Sequence, residues 1–265
     1  MQPKLVDTLN KQLPVFAAIR HTFSLTFNNL GPALRITWAW IAVLIVAIGL
    51  MVLVIAVAGF ERGSMPGGLF VALVFIFFFI LALVATASIA VAWHRYILLD
   101  EGGSTKFNLR FDGTVWRYVG NAMAITIGAM IAFAVPATLL LMISEYMFVV
   151  IIPGIILLSP FMYRLFIKLP AIALERRDFS FYDAYEASAG NYWQLVGLAV
   201  TYALISIALN LLIGIVSFVG LLFGPFAVVV QVIGTAAAQW IGIIFGISLL
   251  TTLYGFFVEG RSFDD

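Results

Sequence analysis

The sequence predicts an all-α integral membrane protein with six transmembrane helices. These form three helical hairpins, each preceded by an interfacial amphipathic helix on the cytoplasmic side. Three observations carry this reading. The 265-residue chain is 63% hydrophobic and 10% charged, against about 25% charged in soluble domains. Its apolar stretches are long and unbroken, as a helix needs to cross a hydrocarbon core about 30 Å thick, and lack the short alternating segments of a spanning barrel. When these stretches are threaded in turn, thirteen of the fourteen Lys and Arg residues fall on one side.

The first thirteen residues carry Lys4, Asp7 and Lys11 and no apolar signal core, so the first span is expected to insert by itself. An amphipathic segment follows at 16–30. Phe16, Ile19, Phe23, Phe27 and Leu30 form its stripe, and Arg20, His21, Ser24 and Asn28 face away. The spans are read at 33–60, 69–93, 121–143, 146–162, 193–219 and 226–258. The fourth is short, and Pro153 and Pro160 predict a kink. The sixth run is too long for one perpendicular crossing, so it tilts or continues past the interface. A second amphipathic segment, 112–119, is closed by Gly120 and Asn121. A third, 181–189, is closed by Gly190 and Asn191, with Ser180 and Asp183 at capping-box spacing.

Lys4, Lys11, Arg20, Arg35, Arg95, Lys106, Arg110, Arg117, Arg164, Lys168, Arg176, Arg177 and Arg261 share one face, and only Arg62 falls opposite. The bias of Lys and Arg toward the cytoplasm then places both termini there. Trp38, Trp40, Trp93, Trp116 and Trp193 are expected at that interface, and Trp240 deeper, as a packing residue. The end of the first hairpin, Tyr96-x4-Glu101-Gly102, matches that of the third, Tyr254-x4-Glu259-Gly260. The middle hairpin ends in Arg164-x3-Lys168-Leu169-Pro170 and leads to Glu175. The chain is read as one membrane domain, 1–265, with repeats at 14–102, 112–175 and 180–260. A membrane interface that attracts aromatics, charges and Gly/Asn breaks gives the same rhyme.

Small residues recur every fourth position at Gly120, Ala124, Gly128 and Ala132, and at Gly234, Ala238, Gly242 and Gly246. Such stripes let helix backbones approach closely. Packing within the chain is the favoured reading, and a homo-oligomer or membrane-protein partner the sharper one. No Lys, Arg, Asp or Glu is expected near mid-bilayer. Asn210, Gln231 and Gln239 remain, with Thr235 on the side of Gln231 and Gln239. They serve either as hydrogen-bond partners between helices or as an intramembrane polar path.

The chain has no Cys, and its two histidines, His21 and His94, are expected at the interface without metal-ligand spacing. No nucleophile elbow or phosphate loop is present. The chain is therefore expected to be no enzyme, to hold no metal or cofactor and to bind no nucleic acid. Arg95, Arg164 and Lys168 are candidates for a lipid head-group site, with membrane lipids as partners. Snorkelling that only fixes topology is the favoured reading of them. Eleven acidic residues share their face, so it is mixed rather than polybasic.

The stretch Leu169-Pro170-Ala171, Glu175, Phe181, Ala184 and Gly190-Asn191-Tyr192-Trp193 resembles uncharacterised bacterial polytopic membrane proteins. It also resembles the membrane domain attached to some glycerophosphoryl diester phosphodiesterases. The likeness covers the C-terminal half, and the rest by layout. The soluble barrel and acidic metal ligands of those enzymes have no counterpart in this sequence. The resemblance implies a membrane module of a bacterial inner membrane and transfers no active site. The expected role is an accessory, scaffold or lipid-interacting module, and the alternative is a transporter or channel for a lipid or hydrophobic solute.

Overall fold

The computed structural model describes residues 12–60, 68–101, 109–220, 224 and 226–263. Helix α1 is Val15–Phe27, α2 Leu30–Phe60, α3 Gly68–Leu99 and α4 Gly113–Ile143. A 3-10 turn at Glu145–Met147 leads into α5, Phe148–Phe166. Then come α6, Lys168–Ala173, α7, Phe181–Ala187, α8, Tyr192–Gly220, and α9, Phe226–Phe257. Six of these stretches are long and apolar enough to cross a membrane, with α5 and α6 counted as one. Helix is the form that satisfies every backbone N–H and C=O within one segment, as lipid demands.

The fourth span runs to Ala173, well past the expected Met162. It continues with Ile167, Leu169, Ala171, Ile172 and Ala173 buried, while Arg164 and Lys168 turn toward the α7 region. The segment 113–119 is not a separate interfacial helix but the first two turns of α4. Asp112 caps it, accepting from the backbone N–H of Thr114 and Val115 at 3.1 Å. The expected capping box at Ser180 and Asp183 is present, and starts a helix of seven residues.

The packed face of α1 keeps Ile19 and Phe23 of the expected stripe, with the Phe23 ring 4.9 Å from that of Phe245 on α9, but not Phe16 or Phe27. Ala18, Ile19, Thr22 and Thr26 are buried, whereas Phe16 is 84% exposed and Phe27 45%. The threonines pass as small surfaces because Thr22 donates to the Ala18 carbonyl at 2.8 Å and Thr26 to the Thr22 carbonyl at 2.9 Å. The bulky Phe16 and Phe27 turn outward, and α1 lies against α9 and α8.

Helix α3 packs against α2, α4 and α9. Helix α4 packs against α5, α5 against α8, and α8 against α9, which closes a ring of α3, α4, α5, α8 and α9. The core is confined to one end of this ring. Buried positions are Ala33–Trp40 on α2, Val84–Leu98 on α3, Leu195–Ala199 on α8 and Ile244–Phe257 on α9. The opposite halves carry exposed apolar side chains, among them Leu53, Phe75, Ile131, Leu211 and Val229. Trp40 and Trp93 are wholly buried at the packed end, so they are core residues and not members of an interfacial belt. Trp240 packs as expected, donating its indole N–H to Thr37 on α2 at 2.9 Å.

Candidate functional site

Charged side chains knit the packed end together. Arg95 on α3 donates to both carboxylate oxygens of Glu101 at 2.7 Å, to Glu175 at 3.2 Å and to the Ala173 carbonyl at 3.1 Å. Arg176, just past α6, donates to the Tyr254 hydroxyl on α9 at 3.0 Å. Arg261, past α9, donates to the Leu98 carbonyl on α3 at 2.9 Å. Each arginine reaches the end of the next helix pair, so the three close a circle. Beside each helix end one residue has positive φ, at Asp100 (53°), Glu175 (60°) and Gly260 (71°). The turn at Glu175 is a Schellman closure, with Arg176 N–H bonded to the Ala171 carbonyl and Glu175 N–H to the Ile172 carbonyl. Aligned on these residues, the two Tyr-x4-Glu motifs are two positions out of register: Tyr96 lies four before Asp100 and Tyr254 six before Gly260.

Arg164 donates to the Tyr185 carbonyl at 2.6 and 3.0 Å and to the Ser188 hydroxyl at 3.2 Å. Its guanidinium lies 3.4 Å above the Tyr185 ring. Lys168 holds its ammonium 3.9 Å from the centre of the Phe181 ring. Arg95, Arg164 and Lys168 thus all touch protein groups at the packed end, where Arg164 and Lys168 fasten α5 and α6 to the α7 region. Lys4, Lys11, Arg62 and Lys106 lie outside the described residues.

Several groups here have shifted proton affinities. Arg95, donating to Glu101, holds that carboxyl below its usual range. Burial raises Asp112, but the hydrogen bond from Arg110 and those from the capped N–H groups outweigh it, and the net shift is downward. Burial, aided by the nearby positive charge of Arg261, depresses the His21 imidazole. His21 does not face away as expected. Its Nδ1 is 3.1 Å from the Thr252 hydroxyl, and it lines a small cavity of about 190 Å³ with Thr251, Thr252 and Arg261.

His94 is fully buried instead of meeting the interface. The Thr251 hydroxyl donates to the Ile247 carbonyl at 2.9 Å. Its lone pair therefore accepts from His94 Nδ1–H at 2.8 Å, and His94 Nε2 accepts from the Tyr118 hydroxyl at 3.3 Å. The chain of bonds fixes the tautomer and ties α3, α4 and α9 together.

A cavity of about 510 Å³ lies inside the ring, walled by α3, α4, α8 and α9 and touched by Leu169. That is within the range of about 300–1,000 Å³ typical of small-ligand sites. Tyr118, Thr86, Tyr202, Ser206, Asn210 and Gln239 line it, with no charged side chain. Asn210 and Gln239 are equally many residues from the packed ends of their helices, Tyr192 and Phe257. At 1.5 Å per residue both sit about 27 Å along the axis. The structure therefore joins two of the three expected polar residues at the cavity, all three being exposed, while Gln231 lies one turn or more beyond the wall.

The second small-residue stripe has an unexpected position. Ala238, Gly242 and Gly246 line the cavity. A Cβ added at Gly234 or Gly242 meets nothing within 4 Å, and one at Gly246 meets only the Tyr202 hydroxyl at 4.0 Å. These glycines leave space instead of drawing two backbones together. At Gly120 and Gly128 on α4 a Cβ also meets nothing.

Sequence reasoning passed over Thr86, Tyr118, Tyr202 and Ser206 as cavity residues. Spans that are apolar all round carry no face signal, and their hydroxyls acquire a common address only when the ring closes. Among the described residues no group of three or more His, Cys, Asp or Glu is placed to hold a metal ion. No family model, curated protein or solved structure matches the chain.

Proposed function

We propose that this chain is a non-enzymatic polytopic module of a bacterial inner membrane that holds membrane lipid between its helices. In this reading the packed, charged end faces the cytoplasm with both termini, following the bias of its basic residues. The six spans form three hairpins, and the likeness to phosphodiesterase membrane domains fits a module that accompanies other machinery. The observation that carries the reading is the uncharged cavity of about 510 Å³ at the centre of a ring whose far half is open. A hydrocarbon solvent fills such a space with acyl chains. Gly120 and Gly128 on α4, where an added Cβ meets nothing, leave room for a second copy or a partner helix.

Native mass spectrometry of protein released from bilayer nanodiscs tests this. A retained lipid, at roughly one per chain, is expected, and only bare protein under conditions that keep it folded removes the proposal. A second reading, passage of a neutral amphiphile, is favoured by Asn210 and Gln239 lying at one depth on the same cavity wall. Flux of a fluorescent diacylglycerol across proteoliposomes above that of empty liposomes would establish it, and equal flux would end it.

A further inference from the structure

The cavity's chemistry narrows which lipid it takes; this step rests on the lipid-holding role proposed above. Its walls carry hydroxyl and amide groups with no protein partners. Thr86, Tyr202, Ser206 and Gln239 line the space, and none of their side-chain polar groups makes a hydrogen bond to another described residue. Asn210 donates one amide N–H to the Ser206 carbonyl at 2.8 Å, which leaves its own carbonyl oxygen and second N–H open. In a hydrocarbon interior such groups are costly unless a partner arrives.

The partner must carry hydrogen-bonding groups without net charge. No Lys, Arg, Asp, Glu or His lines the cavity, so a phosphate placed there would lose its water and gain no counter-charge. Arg95, Arg164 and Lys168 do not supply that counter-charge, because they engage protein groups outside the cavity. Ser206 and Asn210 also line a groove of about 650 Å³ along the outer side of α8, together with Ile207, Leu211, Gly214 and Phe218. Two residues thus border both the cavity and the bilayer-facing groove. Gly242 and Gly246 on the opposite wall keep the interior wide.

We infer that the cavity between α3, α4, α8 and α9 binds one uncharged lipid of the diacylglycerol type, admitted past Ser206 and Asn210. Its free hydroxyl and ester carbonyls meet Tyr202, Asn210 and Gln239, and its chains lie along the glycine face of α9.

The test is a competition. The full chain is placed in phosphatidylcholine nanodiscs doped with equal mole fractions of dioleoylglycerol and dioleoylphosphatidylglycerol, and lipid bound to the released protein is counted by native mass spectrometry. Dioleoylglycerol is expected to be enriched over dioleoylphosphatidylglycerol by about tenfold or more. Gly242→Leu, whose first added atom meets nothing, fills the cavity and is expected to abolish the enrichment with the thermal midpoint kept. Asn210→Leu with Gln239→Leu is expected to remove the preference while apolar binding persists. Equal retention of both lipids, or an unchanged enrichment in Gly242→Leu, overturns the inference and leaves the lipid-holding role standing. Retention of neither, with the protein folded, removes both.

Discussion

At the scale of single residues, the packed end depends on arginines that serve as staples. Arg95→Ala removes four bonds at once and leaves the Ala173 carbonyl without its donor. A loss of about 1–3 kcal/mol is expected, read as a lower thermal midpoint in detergent. Arg164→Lys keeps the charge but cannot both stack on Tyr185 and reach its carbonyl twice, so it is expected to fall well short of wild type in the same assay. His21 gives a pH signature. Its folded-state affinity is depressed, so the unfolded chain binds the proton more readily. The contribution is complete above the ordinary imidazole pKa of about 6.5 and is lost as pH falls below it. His21→Gln should flatten that part of the stability profile, and an unchanged slope would contradict the assignment. At this scale the sequence singled out Asn210 and Gln239, which line the cavity, because amides are conspicuous among aliphatics. It could not place His94, whose partner Thr251 is 157 residues away, nor hydroxyls that any span carries.

At the scale of elements, composition and length carried most of the information. Six apolar runs became six long helices, and Ser180 and Asp183 became a helix start. Where the reading departed from the structure, the cause was local. The segment 112–119 reads as a separate amphipathic piece because Gly120 and Asn121 look like a break. Helix α4 runs through both, and the Asn121 side chain donates to the Arg117 carbonyl at 2.8 Å within the helix. On α1, residue size decided the packed face more than polarity did. Ala18→Leu should therefore overpack the contact with α9 and cost about 1–3 kcal/mol, whereas Phe16→Ala should leave the thermal midpoint in detergent unchanged. Equal effects of the two would mean that α1 docks through Phe16 as well.

At the scale of the molecule, the helices are gripped at one end and open at the other. The charged circle of Arg95, Arg176 and Arg261 and the buried tryptophans make the gripped end rigid. The glycine face of α9 and the exposed far halves leave space at the open end, which the proposed role fills with lipid. Periodicity along a single helix holds no record of this arrangement, because burial depends on which end of the ring closes. The most direct measurement is a cryo-electron microscopy map of the protein in a native bilayer. The account predicts the ring of α3, α4, α5, α8 and α9 open in its far half, with elongated lipid density beside Gly242, Asn210 and Gln239. A map in which those helix halves close on one another, so that Gly242 touches a neighbouring backbone and no lipid density enters, would contradict it.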